Sequence, residues 1–274
     1  MVELSPEELR RVQLTELELL CEADRICRKC GISYNIIAGT LLGAVRGGGF
    51  IPWDDDADIA LLRPEYERFR TACETELDAS RFYFQDHRNT PGYRWGYGKL
   101  RRKGTLFLRE HQEHMPYEQG IFIDIFPLDA VPAGLAARRW HDIHCWAIRK
   151  LLWSEAGRRA DRSALMRLWY GFLAKVPLAW IFSHYERFVR KGNAENAQSP
   201  WVRILTFPAP TADGGYLRAW YEHSTATEFE NHSFSGIADF DSYLSFKFGK
   251  WKELPPMEQR KVHPVSKLKL LDGR

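Results

Sequence analysis

Pro52-Trp53-Asp54-Asp55-Asp56-Ala57-Asp58-Ile59-Ala60-Leu61 crowds four carboxylates at the entrance to a short apolar run. Residues 57–62 have the length and composition of a buried strand, so the acids stand at a strand mouth. In an extended chain successive side chains alternate, which sends Asp54, Asp56 and Asp58 one way and Asp55 the other. Carboxylates this close raise one another's pKa and destabilise the fold unless a cation neutralises them. Oxygen-only ligands favour a hard ion, Mg²⁺ first and Mn²⁺ second. For an arbitrary acidic run the reading would be a solvated loop; the buried strand that follows argues against it.

The partner to this stretch is Ile121-Phe122-Ile123-Asp124-Ile125-Phe126, β-branched and aromatic apart from one acid and expected to stop at Pro127. An ionised Asp124 in such a strand is costly unless a cation faces it, either a metal shared with Asp56 and Asp58 or an arginine. Two carboxylates on one strand and a third on a neighbour would clamp a transferring phosphate group through a metal, and one of them would accept the proton of the attacking hydroxyl. Direct in-line transfer then needs no Ser or Cys nucleophile. Asp129, five residues on, reads as a turn acid at the strand end.

Outward from these two strands the chain alternates helix and strand. Ser5-Pro6-Glu7-Glu8 starts a helix whose mostly apolar face is Leu9, Val12, Glu16, Leu19 and Leu20, with Gly31 as its stop. A strand is expected over 32–38, a short helix from the turn at Gly39, a helix over 65–77 opened by Pro64, and strands over 82–85, 93–101 and 105–109. From 136 to about 191 the pattern is helical. Beyond 200 only a short helix near 241–248 is assigned. The expected architecture is an α/β (α+β) fold, a mixed sheet flanked by helices with a helical subdomain in the second half. Its division is a core over 1–135, helices over 136–198 and a C-terminal segment over 199–274 that packs back on the core.

Composition sets the outer limits. The chain is 45% apolar and 27% charged with a net charge of +3, a soluble globular profile with no field strong enough to imply nucleic acid. Its five cysteines are odd in number and scattered, which fits a reducing, cytoplasmic setting. Glu and Arg interrupt the first twenty residues where a signal peptide would be apolar.

Several motifs together resemble the LicD family. They are Gly39-Thr40-Leu41-Leu42-Gly43-Ala44-Val45-Arg46, Gly49-Phe50-Ile51-Pro52-Trp53 running into the acids, Gly98-Lys99-Leu100-Arg101 with Thr105, and Phe122 through Asp129. In the tail they are Tyr243-Leu244, Phe248-Gly249 and Leu254-Pro255-Pro256 with His263. The similarity spans nearly the whole chain and is weakest between 136 and 210. It implies a nucleotidyltransferase-type fold and the transfer of phosphocholine from CDP-choline, or of a polyol phosphate such as ribitol phosphate in the fukutin group, onto a cell-surface glycan such as lipopolysaccharide or teichoic acid. Under it Gly39-Thr40 is the turn near the nucleotide phosphates, Asp56 and Asp58 the catalytic acid pair, and Asp124 the third acid, all three acids holding the metal.

Chemistry alone adds that a glycine before a helix start lets backbone N–H groups approach an anion. Arg46, Lys99 and Arg101 suit donor phosphates or simple surface solvation, and Asp54 is grouped with the donor-binding residues. Gly47-Gly48-Gly49 stands where relatives often carry a bulkier or basic residue, which bears on acceptor contact there.

Other clusters carry less. Cys27-x-x-Cys30 with His111/His114 or His141/His144 makes a zinc site only on paper, because the cysteines fall at the end of a helix. Residues 158–182 interleave arginines with Trp169, Phe172 and Trp180; they would lie on an anionic membrane or, as such spacing more often means, pack inward as core. His263 would position donor or acceptor, or merely pack. Two rivals to head-group transfer are transfer of NMP from an NTP to a protein, RNA or small molecule, and a membrane-associated scaffold with a vestigial site.

Overall fold

The computed structural model describes residues 4–210, 214–260 and 263–271; the remaining residues of the segments 1–135 and 199–274 lie outside it. Helix α1 (Pro6–Cys30) begins in a closed capping box: Glu8 N donates to Ser5 Oγ (3.2 Å) and Ser5 N to Glu8 Oε2 (2.9 Å). Gly31 ends it in the left-handed region at φ +59, a conformation glycine adopts without steric cost. Strand β1 (Asn35–Ile36) is shorter than the run 32–38 suggests, because Ile37 already caps helix α2 (Ala38–Gly47).

Strand β2 (Asp58–Leu62), helix α3 (Arg63–Glu76), and strands β3 (Phe82–Gln85), β4 (Gly98–Arg102) and β5 (Leu106–Arg109) follow. The expected strand 93–101 starts only at Gly98. The stretch before it is a coil in which Tyr93 donates to Tyr97 O (3.0 Å) and the Arg94 guanidinium donates to the backbone oxygens of Leu152 and Leu151 (2.9 and 3.0 Å). Strand β6 (Phe122–Ala130) runs through Pro127 instead of stopping there. Pro127 lies between the last pairing with β4, at Ile125, and the first with the later strand β7 (Trp201–Arg203), at Asp129. Its missing N–H therefore falls where neither neighbour needs it.

Asp129 is not a turn acid. It is 1% exposed, and the Arg63 Nε and Nη2 atoms each lie 2.7 Å from one of its oxygens, with Asn193 Nδ2 also 2.7 Å away. A buried bidentate pair of this kind anchors α3 to β6.

Helices α4 (Leu135–Ala160), α5 (Ala164–Leu173) and α6 (Leu178–Glu195) fill the expected helical region. Cys145, Ile148, Leu152, Ile181, Tyr185 and Val189 form part of a second, smaller core between them. The inward-packing expectation fails for the rest of their aromatics. Tyr170 and Phe182 are buried, but Leu165, Leu168, Trp169, Phe172 and Trp180 are exposed. Among the described residues no helix is long and apolar enough to cross a membrane.

The tail is more regular than its sequence suggests. After β7 come β8 (Tyr216–Leu217), α7 (Ala219–Glu222), the hairpin β9 (Ser224–Phe229) and β10 (His232–Ile237), helix α8 (Phe240–Phe248), a 3₁₀ turn at Met257–Gln259 and β11 (Val265–Lys269). The hairpin turn is Glu230-Asn231, both at positive φ (51 and 61), the geometry of a type I′ turn. Its first strand, Ser-Thr-Ala-Thr-Glu-Phe, lacks apolar alternation and gives no strand signal. Among the described residues nine strands make one mixed sheet, with β3-β4-β6-β2-β1-β10-β9 in order and β7 and β8 continuing from β6, while β5 and β11 pair separately. The architecture is an α/β mixed sheet flanked by helices. Its centre is β4-β6-β2, where the charged residues lie.

Candidate active site

Strands β2 and β6 run parallel with Asp58 opposite Asp124, and β4 runs antiparallel to β6 with Lys99 opposite Asp124. Register partners share a sheet face, so Lys99, Asp124 and Asp58 form one row across three strands. Lys99 Nζ forms an ion pair with Asp124 Oδ1. The protein side chain that faces the buried acid is thus a lysine where an arginine was the alternative to a metal. Burial pulls the Lys99 ammonium down to about 7 even against the pull of Asp124. Asp58 accepts no hydrogen bond on its carboxyl among the described residues, and burial together with Asp56 and Asp124 pushes it well above the usual carboxylate range.

The acid loop is held from three sides. On α1, Gln13 Nε2 donates to Ile51 O (3.3 Å) and Asp54 O (3.0 Å). On α2, the Thr40 hydroxyl accepts from Asp58 N (2.8 Å), so Thr40 fixes the start of the acid strand rather than presenting its oxygen to a ligand. The third side is the β5-β11 pair, in which Val265 stands opposite Arg109. Its ends deliver two side chains to the acids: Arg109 Nη2 lies 3.6 Å from Asp56 Oδ2, and His263 Nδ1 donates to Asp55 Oδ1 (2.7 Å) and lies 3.5 Å from Asp56 Oδ2. The strict alternation expected from Asp54 onward therefore begins only at Asp58, since Asp55 and Asp56 both reach His263. Asp55 is buried, and its second oxygen has no hydrogen-bond partner.

Beside this row lies a cleft of about 610 Å³ lined by Gly39, Arg46, Asp54 and Asp56 on one wall and by Lys247, Trp251 and Pro255 on the other. Gly39 is required by close approach: a Cβ there would stand 2.4 Å from Asp54 Oδ2. The residue before it, Ala38, is held at φ +52, and its N–H donates to Tyr243 Oη (3.3 Å); strain of this sort clusters at functional turns. Arg46 is half-buried and has no ion-pair or hydrogen-bond partner among the described residues. Burial, Asp56 and Asp55 push the Asp54 carboxyl up to about 8.

Arg101 behaves differently. It shares the face of Lys99, but its guanidinium donates to Gln85 Oε1 (2.6 Å) and Gly120 O (2.8 Å). Lys99, Arg101 and Arg109 also surround the Phe122 ring, at 3.4, 5.0 and 5.1 Å from its centroid. Arg109 and Lys247 carry no motif of their own in the sequence. Glu16 was visible only as a break in the apolar face of α1. It is 2% exposed, its Oε2 is unpartnered, and burial with Asp56, Asp55 and Asp54 pushes its carboxyl far up.

As they stand, no three His, Cys, Asp or Glu side chains among the described residues converge at metal-ligand spacing. The donor set nevertheless suits a hard divalent ion. It is all oxygen, the acids repel one another through a poorly solvated site, and Asp124 Oδ2 accepts no hydrogen bond from a described residue. Asp56, Asp58 and Asp124 are the residues that would hold such an ion. Cys21, Cys27, Cys30, Cys73 and Cys145 are free thiols away from this chemistry.

A protein of Haemophilus influenzae described as lipopolysaccharide cholinephosphotransferase LicD is 24% identical over 273 residues, 96% of this chain and 98% of its own length. Uncharacterized proteins of Rickettsia typhi and Rickettsia prowazekii are 36% and 37% identical over 75 and 70 residues, 25% and 23% of this chain and 24% and 26% of theirs. Residues 31–142, which contain the α2 turn, the acid loop and the whole of β2, β4 and β6, match the family described as LicD/FKTN/FKRP, nucleotidyltransferase domain.

Proposed function

We propose that this protein transfers a phosphate-linked head group, phosphocholine in the first instance, from a CDP-linked donor to a sugar of a lipopolysaccharide-type acceptor, with Mg²⁺ in the acid cluster. The observation that carries the reading is the Lys99-Asp124-Asp58 row beside the 610 Å³ cleft. Arg46 and Lys247 hold the donor's phosphates in the cleft, where the α2 backbone passes closest at Gly39. A divalent ion held by Asp56, Asp58 and Asp124 would neutralise charge on the reacting phosphate. The acceptor hydroxyl oxygen bonds to the phosphorus that carries choline while the P–O bond to CMP breaks, and CMP leaves with that electron pair. The hydroxyl proton passes to Asp58, whose burial favours holding it. Lys99 keeps Asp124 oriented throughout.

The same reading places the protein at an anionic lipid surface. Residues 135–191 hold twelve Lys and Arg against four Asp and Glu, a net of +8 in a chain whose total is +3. Leu165, Leu168, Trp169 and Phe172 lie on one stripe of α5, 46–76% exposed, at the i, i+3, i+4, i+7 spacing of an interfacial helix.

The test is transfer from CDP-choline labelled in the choline or in the cytidine half, with Mg²⁺ and de-cholinated lipopolysaccharide. Choline label on the product, lost in Asp58→Asn, supports the reading. Cytidine label on the product indicates NMP transfer instead.

A further inference from the structure

Between the 93–97 coil, α4, α5 and the segment after β7 lies a second cavity of about 360 Å³. Its walls are aromatic, with Trp95 and Trp153 inclined at 46° and their ring centroids 5.8 Å apart, and with Tyr97 and Phe207 opposite. Its charged groups are all cationic. Arg94, Arg149 and Lys150 line it, and no Asp or Glu does.

Two of the polar groups lack partners. Among the described residues, the half-buried Arg149 makes no ion pair or hydrogen bond, and the buried Thr206 Oγ1 has no hydrogen-bond partner. Arg94 is engaged by the α4 carbonyls and Lys150 by Tyr170 Oη (2.9 Å). An unpaired guanidinium and an unpaired hydroxyl on two residues that line one cavity are groups a ligand would satisfy. Aromatic walls alone would also suit a quaternary ammonium, but three cations without a carboxylate repel one. Indole faces beside hydroxyl and guanidinium donors fit instead a sugar that carries an anionic group, and the volume is that of a small ligand site.

The cavity and the acid row share a wall. Tyr97 packs on Phe126 and Phe207 (4.8 and 5.7 Å between centroids), and Lys99 Nζ, the partner of Asp124, lies 5.4 Å from the same tyrosine ring. We propose that this cavity binds an anionic saccharide, phosphorylated or carboxylated, through Arg149 and Thr206, and thereby seats the acceptor next to the Asp124 row. That last step rests on the transferase reading; the binding itself does not.

The experiment is calorimetric titration of the full chain, without nucleotide, with glucosamine 6-phosphate, glucosamine and inorganic phosphate. Glucosamine 6-phosphate is expected to bind more tightly than either fragment. Arg149→Gln and Trp153→Ala should each weaken it about tenfold and Thr206→Val by a smaller factor, while the melting temperature and Mg²⁺-dependent CDP-choline binding stay at wild-type values. Absent binding to the wild type, equal affinity for inorganic phosphate, or unchanged affinity in Arg149→Gln would each overturn the proposal. Loss of CDP-choline binding in the wild type would instead sink the transferase reading and leave the saccharide result standing.

Discussion

Asp58 and Asp124 stand directly opposite each other on adjacent parallel strands although 66 positions separate them in the chain. Asp58 makes no ion pair with a described residue, and Lys247 only partly offsets the push from burial, Asp56 and Asp124, so the pair is a site of repulsion built into the sheet centre. Asp58→Asn should lower transfer by roughly 10²–10⁴-fold and leave the metal-free protein as stable as the wild type or more so. Added Mg²⁺ should raise the melting temperature of the wild type by mass action and not that of the variant. Calorimetry with and without Mg²⁺ reads both signs; a variant that melts earlier than the wild type in EDTA would show that the pair is not under repulsion.

Lys99 is the cation that makes a buried Asp124 tolerable. Lys99→Met leaves that carboxylate buried beside a neutral group, which should cost about 3 kcal/mol. The double variant Lys99→Met with Asp124→Asn should recover most of that loss, because the charge that needed a partner is gone. Urea unfolding of the four proteins gives the coupling, and additive losses would mean the ion pair contributes nothing.

The acid row was legible because a carboxylate in an apolar strand is costly and so stands out against its neighbours; Asp124 announces itself in Ile-Phe-Ile-Asp-Ile-Phe. Arg109 was not legible as a site residue, and His263 was read only as positioning donor or acceptor or merely packing, not as a partner of the acids. Each reaches the acids only through the β5-β11 pairing across more than 150 positions, and no local pattern encodes that. Arg101 misled for the opposite reason: it has the spacing of a ligand-facing cation, yet Gln85 and Gly120 O take its donors. The stripe on α5 shows a further limit. Periodicity says that a helix has one apolar side, and only packing decides whether that side meets the protein.

His141 supplies a pH test remote from the site. Burial, and then Arg203, lowers its folded pKa from 6.5 to about 4. The unfolded chain therefore binds a proton below pH 6.5 that the native state refuses until about pH 4. Stability attributable to this residue is fully present above pH 6.5 and is lost as the pH falls toward 4, by an amount on the order of 2 kcal/mol. His141→Phe should flatten the fall in melting temperature across that window. Identical slopes for variant and wild type would place the acid sensitivity elsewhere.

The α5 stripe makes the lipid prediction specific in both charge and hydrophobicity. Leu165 and Leu168 are 76% and 74% exposed, a poor arrangement for a helix that meets only water. Vesicles containing phosphatidylglycerol should sediment the protein and pure phosphatidylcholine vesicles should not, because the +8 of residues 135–191 requires an anionic surface. Raising salt to about 0.5 M should weaken binding by shortening the range of that attraction. Leu168→Ser with Phe172→Ser should weaken it at low salt with no change in net charge, by removing what enters the acyl boundary. These side chains touch neither core, so the double variant should keep its melting temperature and its turnover of a water-soluble acceptor fragment. Its rate on vesicle-embedded acceptor alone should fall, and equal losses on both acceptors would show that the stripe serves the fold or the chemistry rather than the membrane.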